Sequence, residues 1–347
     1  METLRKASDF VSNLIASLPI FKEWTFKEDV LHGSIDGQKF ETKREIIKAR
    51  RSSKYFFTQG VVDLSIIINN VPVNCKLIGS NERESFFIFD ITYNNTSEID
   101  PMFLSGDMHT VNKLNFAFLD VIDKKFVPRY TKINRKKDNL YGFKPLKCYK
   151  GLIKPTKKVT DNLIVEEWDN MKRIWASLLR KETTQSIIVR KFNSSAKSNR
   201  TKRAFWEFNN ILMTLHVLEC IDNPLMRQYI QRSLNRGESY HSLRRSIAFE
   251  NDSKFRGSTI RELEIWNESA RLLANCIVLY NSVLLSKLLE YYEKRGNRKA
   301  VEIIKRISPF AWKNINFRGT YEFRKGGKNL NINELFEIML KNFEGKI

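Results

Sequence analysis

The sequence predicts an α/β protein in which a mixed sheet comes first and a large helical block follows. Three observations carry this. Two β-branched runs, 61–68 and 71–78, flank Asn69-Asn70, the pattern of a hairpin. From Asp161 onward apolar residues recur at helical spacing. The pattern persists longest from about 260 to 292, where Leu263, Trp266, Ala270, Leu273, Ile277, Tyr280, Leu284 and Leu288 share one stripe. In between, strand-like and helix-like segments alternate, as parallel strands with helical crossovers require.

Along the chain, residues 31–40 (LHGSIDGQKF) read as a short strand entering a turn at Asp36-Gly37. Residues 83–93 satisfy either a helical or a strand period. Phe103-Leu104 is a short strand leading into Ser105-Gly106-Asp107. Val111, Leu114, Phe118, Val121 and Ile122 place a helix over 110–122, and 125–133 resembles one more strand. The Lys-rich segment 134–160, with Gly142, Pro145, Gly151 and Pro155, has the composition of a linker. A helix over 161–182 opens with Asp161 as a cap and repeats Ile164, Trp168, Met171, Trp175 and Leu178. Further helices are expected at 201–220, 223–234 and 238–249. Gly296 ends the long helix, and Ser308-Pro309 breaks the short one after it. No internal repeat is visible at solenoid periods.

Composition limits the function classes. The 347 residues are 42% hydrophobic and 12% aromatic, which excludes a disordered chain. Cys75, Cys148, Cys220 and Cys276 lie 73, 72 and 56 residues apart, too distant for a zinc knuckle and too sparse for a disulfide scaffold. A reduced, cytoplasmic setting is the expectation. Charges come too early in the N-terminus for a secretory signal. The longest uncharged apolar stretch, 272–286, contains Asn275, Asn281 and Ser282 and reads as a buried helix, so no membrane partner is expected.

Lys and Arg number 60 against 39 acids, a net charge of +21. A coding bias toward Lys, Ile and Asn accounts for part of it. Its distribution says more. Residues 124–158 hold 13 Lys/Arg and one acid, Asp138. Residues 180–203 hold eight, Arg190 and Lys191 among them, against Glu182 alone. Solvated faces mix signs, so stretches this one-sided favour a phosphate-binding surface and a nucleic-acid partner associated with the nucleoid. Ser/His/Asp, Cys/His, P-loop and dinucleotide-binding patterns are absent, which argues against nucleotide-driven or nucleophilic-residue chemistry.

Three carboxylates stand out by position. Asp36 sits at the end of the first strand pattern, Asp107 follows another short strand, and Glu238 opens a helix in Asn235-Arg236-Gly237-Glu238. Carboxylates at adjacent strand ends, with a third from a packed helix, can hold two Mg²⁺ ions (or Mn²⁺ as substitute) for phosphodiester chemistry. Any one acid beside a glycine is more often a turn or a cap. Around them, Lys39, Lys43 and Arg44 follow the first acid, while Arg236, Arg244 and Arg245 flank the third; guanidinium groups suit bidentate phosphate contact. His32 and His109 are near the two aspartates in sequence, and His241 shares a helical side with Glu238. His216 belongs to an apolar helix, and Trp168, Trp175, Trp206 and Trp266 fall on core stripes rather than base-stacking platforms.

Five stretches in order resemble the catalytic part of the replicative, cointegrate-forming transposases of the Tn-three family. Residues 34–40 (SIDGQKF) resemble S-D-G-Q-[RK]-F. Residues 164–192 are similar to its W-D-E helical segment and later L-x-R-K-L. Residues 234–249 (LNRGESYHSLRRSIAF) resemble L-N-[KR]-G-E-x-x-x-A-L-x-R-A-[VI]-F-F. Residues 274–282 (ANCIVLYNS) resemble N-A-I-V-L-W-N-T, and 307–321 resemble L-S-P-L-x-x-x-H-I-N-x-x-G-x-Y. The resemblance implies an RNase-H-like mixed sheet core with a large all-helical insertion and a helical C-terminal part. It makes Asp36 and Glu238 catalytic metal ligands and Asp107, 71 residues after the first and 131 before the last, the second aspartate. The expected division is a helical lead-in at 1–30, the core at 31–134, a basic linker and helical insertion at 135–235, a helical completion carrying Glu238 at 236–325, and a tail at 326–347.

The resemblance also implies a reaction. Water frees a 3′-OH at a transposon end, and that hydroxyl joins target DNA, with double-stranded DNA as partner and a homodimer acting on paired ends. Two departures mark the chain. Gly106-Asp107-Met108-His109-Thr110 replaces T-D-T-A-G, and only about 35 residues precede Asp36, so a separate partner protein supplying end-recognition domains is an expectation. A DNA nuclease on the same core, or a non-catalytic DNA-binding or regulatory fragment, are the alternative readings.

Overall fold

A computed structural model describes residues 1–26, 30–51, 58–249, 254–320 and 331–344. Two helices open the chain, α1 (Glu2–Ala16) and α2 (Pro19–Glu23). Next come β1 (His32–Thr42), the two-residue β2 (Arg50–Arg51), and the hairpin of β3 (Gln59–Ile68) and β4 (Val71–Gly79). Asn69 and Asn70 have φ of 45° and 65°, the left-handed pair of a tight hairpin turn that asparagine tolerates. After a turn at Glu84–Phe86 follow α3 (Ile88–Tyr93), β5 (Phe103–Gly106), α4 (Asn115–Asp120) and β6 (Lys125–Phe126).

The helix expected over 110–122 therefore starts later. Asn112 Oδ1 accepts from the backbone N–H groups of Leu114 and Asn115, at 2.7 and 2.9 Å, which delays the helix to Asn115. The strand expected over 125–133 stops at Phe126, two residues before Pro128.

The linker-like stretch holds α5 (Ile133–Lys136), β7 (Tyr141–Gly142) and β8 (Lys157–Lys158), the last two paired in parallel. Four helices build the next block: α6 (Asp161–Glu166), α7 (Trp168–Leu179), α8 (Gln185–Ser194) and α9 (Arg200–Asp222). The single helix expected over 161–182 is broken at Glu167, whose buried carboxylate accepts from Asn170 Nδ2, Arg200 Nε and Thr201 Oγ1. Two helices expected at 223–249 are one, α10 (Pro224–Phe249), so Glu238 sits mid-helix and not at a helix start. The chain continues with β9 (Lys254–Phe255), the 35-residue α11 (Ile260–Lys294), α12 (Arg298–Ile304) and α13 (Ile332–Glu344). Tyr321, the end of the fifth matched stretch, and 326–330 and 345–347 of the tail lie outside the described residues.

The main sheet runs β4-β3-β1-β5-β6, with β2 beside β3 and β9 beside β1. β3 is antiparallel to both β1 and β4, whereas β1–β5 and β5–β6 are parallel. This is a mixed α/β architecture with an RNase-H-like core and large helical parts. Its main core buries Ile35, Leu64, Ile66, Val73 and Leu104 of the sheet against Leu243 of α10 and Val278 and Leu288 of α11. A second cluster, with Phe89, Phe118, Met171, Trp175 and Phe205, welds the helical block to α3 and α4.

By length and composition α11 could cross a membrane, but it packs on α1, α2 and β4. Its Asn275 Nδ2 donates to Ser8 Oγ of α1 at 2.8 Å and to the Pro72 carbonyl at 3.1 Å.

Candidate active site

The site grows out of β1. Its pairing with β3 is continuous from Gly33↔Ile68 to Glu41↔Gly60. On its other edge β5 ends at Ile35↔Gly106 and β9 begins only at Glu41↔Lys254. Residues 36–40 thus face a gap between two parallel partners, the kind of crevice in which α/β sheets place ligands. Asp36 stands at its start. The turn expected at Asp36-Gly37 does not occur: Asp36 pairs with Ser65 and Gly37 with Leu64 inside an uninterrupted strand. The glycine serves close approach instead, since a Cβ on Gly37 would overlap the Glu84 carboxylate.

Because Ile35 and Gly106 are register partners, the next residues, Asp36 and Asp107, emerge side by side. Asp107 caps the turn Met108–Thr110, its Oδ1 accepting from His109 N at 2.7 Å. Asp36 Oδ1 accepts from Gly37 N at 2.9 Å. Glu238 comes from α10, which lies across β1. Gln38 Nε2 donates to the His241 carbonyl at 2.9 Å, and Gly237 rests on Ser34. The ring Nδ1 of His241 stands 3.7 Å from Asp36 Oδ2.

Two acid groups result. Asp36, Glu84 and Asp107 each bring one oxygen within 4.8 Å of the others, as do Asp36, Glu238 and His241 with one ligand atom each. Hard oxygen donors at this spacing fit a divalent cation. Burial, then the charges of Glu84 and Asp107, push the Asp36 carboxyl up to about 8. Burial and Asp107 also raise Glu84. His241 is pushed down to about 3 by burial and by Arg245 and Arg244, so its ring is neutral.

Glu84 escaped sequence reasoning. It lies in the segment left open between helix and strand, and nothing in Arg83-Glu84-Ser85 signals its approach to Asp36.

The other histidines divide. His32 is buried and hydrogen-bonds Ser105 Oγ at 2.5 Å, with its basicity lowered to about 3 by burial and Arg236. His109 is exposed and meets Asp107 through its backbone. His216 is buried against the Pro128 carbonyl at 3.0 Å.

The basic residues expected at a DNA surface also divide. Lys43, Arg44, Arg190, Lys191 and Arg245 are exposed, and Lys39 is half-buried on β1. Arg190 is ion-paired with Glu82, and Arg245 Nη2 donates to Ser242 Oγ at 2.9 Å.

Arg244 corrects its expectation. It is fully buried, and its Nη2 donates to Asp63 Oδ2 at 3.1 Å and Asn267 Oδ1 at 2.6 Å, so it reaches no phosphate. Arg236 is likewise engaged inward, donating to Asn69 Oδ1 at 3.0 Å and the Trp24 carbonyl at 2.6 Å, over the Phe26 ring. Burial, with Arg232 adding repulsion, lowers Arg236 to about 9.

An RNase-H-like sheet whose carboxylates come from its central strand, the parallel neighbour and a packed helix has the architecture of a DDE domain. The chain belongs to the Tn3 transposase DDE domain family, whose profile matches residues 1–321. It is 26% identical over 264 residues to the transposase for transposon Tn2501 of Escherichia coli, covering 74% of this chain and 26% of that protein. To the transposase for transposon Tn1546 of Enterococcus faecium it is 24% identical over 266 residues, covering 76% and 26%. To the transposase for transposon gamma-delta of Escherichia coli (strain K12) it is 24% identical over 353 residues, covering 96% and 34%. The matches span about a quarter to a third of these relatives' length.

Proposed function

We propose that this chain is the catalytic module of a DNA transposase, acting on double-stranded DNA by metal-dependent 3′-end cleavage and strand transfer. The observation that carries the reading is that Asp107 and Glu238, residues far apart in sequence, each approach Asp36 beside one gap in the sheet of a family member. Asp36, Asp107 and Glu238 act as the cation ligands. Bound divalent ions, Mg²⁺ or Mn²⁺, supply Lewis-acid activation of a hydroxyl and neutralise charge at the scissile phosphate.

The residues themselves do the positioning. β1 holds Asp36 against Asp107, α10 brings Glu238 to them, and Lys43, Arg44 and Arg245 contact phosphates along the duplex. Water attacks the phosphodiester at an element end and releases a 3′-OH. That hydroxyl attacks a target phosphodiester in line, forming one P–O bond as another breaks, with no covalent protein intermediate. Joining two ends calls for two copies of the module, hence a homodimer. DNA as substrate puts the protein in the cytoplasm with the nucleoid.

The test incubates the protein with a labelled, pre-nicked 3′-OH end, a plasmid target and Mg²⁺ or Mn²⁺. Joined product from the wild type and none from Glu238→Gln is the expected result. Salt-sensitive DNA binding without product from either would overturn it in favour of a regulatory fragment. Cuts without joining would point to a nuclease.

A further inference from the structure

Five donors, not three, converge on the gap in the sheet. Glu84 reaches it from the turn after β4, and its arrival depends on Gly37, the one residue type whose lack of a Cβ leaves the carboxylate room. Its Oε2 is buried without a hydrogen-bond partner among the described residues. His241 arrives from α10, one helical turn beyond Glu238. It is only 4% exposed, and its Nε2 has no hydrogen-bond partner among the described residues. Its Nδ1 is 3.7 Å from Asp36 Oδ2, too long for a hydrogen bond. An imidazole buried beside an acidic cluster, with its Nε2 left unpaired among the described residues, has the chemistry of a ligand. Gln38 fixes the backbone of His241 through its carbonyl, and so the orientation of the residue against β1.

We infer that Glu84 and His241 complete two cation sites sharing Asp36: an all-oxygen site with Glu84 and Asp107, and a mixed site with Glu238 and His241. The inference rests on the proposed two-cation chemistry and deepens it. The two sites differ in kind. Three carboxylates suit a hard ion such as Mg²⁺, while a nitrogen ligand moves the preference away from Mg²⁺ toward first-row transition ions, of which Mn²⁺ serves as the spectroscopic probe. Because Asp36 belongs to both groups, cations held there would be neighbours, each able to neutralise charge on a phosphate brought to the gap.

Mn²⁺ titration of the full chain, counted by EPR, tests this together with pulsed EPR for nitrogen coupling to the bound ion. The wild type is expected to take two Mn²⁺, one of them coupled to nitrogen. Glu84→Gln should weaken one ion about tenfold or more and keep the nitrogen signal. His241→Gln should lose that signal and keep the all-oxygen site.

Mg²⁺ competition on the wild type needs no variant to fold. Mg²⁺ should displace the uncoupled Mn²⁺ first, leaving the nitrogen-coupled ion last, and simultaneous loss of both would overturn the assignment. Two ions retained at full affinity by Glu84→Gln, or no nitrogen coupling in the wild type, would overturn it while leaving the transposase reading standing. A wild type that binds no Mn²⁺ would remove both. Sites that titrate as described, in a protein that joins no DNA, would sink the proposed function alone.

Discussion

Gly237 lies against Ser34: a Cβ built on the glycine would stand 3.1 Å from the serine Oγ, which is buried with no hydrogen-bond partner among the described residues. Here α10 comes down on β1, next door to Glu238. Gly237→Ala trades a tight contact against the roughly 1 kcal/mol that alanine gains over glycine in a helix, so stability should change by less than about 1 kcal/mol. Gly237→Leu forces the helix off the strand, costs about 1–3 kcal/mol, and should weaken Mn²⁺ binding by displacing Glu238. Thermal melts and Mn²⁺ titration of both variants check this. A leucine variant with intact Mn²⁺ affinity would mean that Glu238 takes no part in cation binding.

Arg244 and Asp63 are both buried, with Asn267 bonded to each. Arg244→Ala would leave the Asp63 carboxylate uncompensated in the core, at a cost of about 3–5 kcal/mol. Urea unfolding should show this loss. The DNA affinity of the fraction that remains folded should be unchanged, which separates a core arginine from a phosphate ligand.

The raised Asp36 carboxyl sets a pH trend. With a folded pKa of about 8 against an ordinary 3.8, the folded protein keeps a proton between about pH 4 and 8 that the unfolded chain has lost. In the metal-free protein this contribution to stability is full at low pH and declines as pH rises through that window. Cation binding must displace the same proton. Mn²⁺ affinity should therefore increase from pH 6 to 8 while the contribution of Asp36 to metal-free stability decreases. Melting curves in EDTA and Mn²⁺ titrations at matched pH values read the two slopes.

Among the basic residues, the exposed ones should govern DNA binding. Lys43→Ala, Arg44→Ala and Arg245→Ala are each expected to leave the melting temperature in place, weaken duplex binding, and lower the slope of log K against log salt by about 1. Fluorescence anisotropy from 50 to 200 mM salt measures it. Unchanged slopes in all three would move the DNA surface elsewhere.

The hairpin and α11 were legible because their signals are local: β-branched runs around a turn pair, and a long apolar stripe. The order of the three acids came from motif resemblance; the adjacency of Asp36 and Asp107 follows from the Ile35↔Gly106 register once β1 and β5 are paired, whereas Glu238 reaches Asp36 only through the packing of α10. Asp36-Gly37 misled as a turn because pairing with β3 overrides local turn preference. Asn235-Arg236-Gly237 likewise looked like a helix break, yet the glycine lies within a continuous helix where α10 closes on Ser34. Arg244 was read as surface although Tyr240, Leu243 and Ile247 surround it at helical spacing and are themselves buried. Glu84 was beyond reach, since its role in the site is created by a contact across the sheet and carries no local pattern.

Asp36 is held differently from its companions. It sits within a strand laddered to β3 on both sides of it, whereas Glu84 and Asp107 belong to single irregular turns. The site accordingly has one datum and several adjustable jaws. When the reacting phosphorus changes from tetrahedral to five-coordinate and back, the spacing around it must lengthen and shorten. Under the proposed chemistry the turns carrying Glu84 and Asp107 would absorb that movement while the Asp36 carboxylate, which belongs to both groups, stays put. Tolerance at the rim and rigidity at the centre would give the proposed cleavage and joining one unmoved reference point.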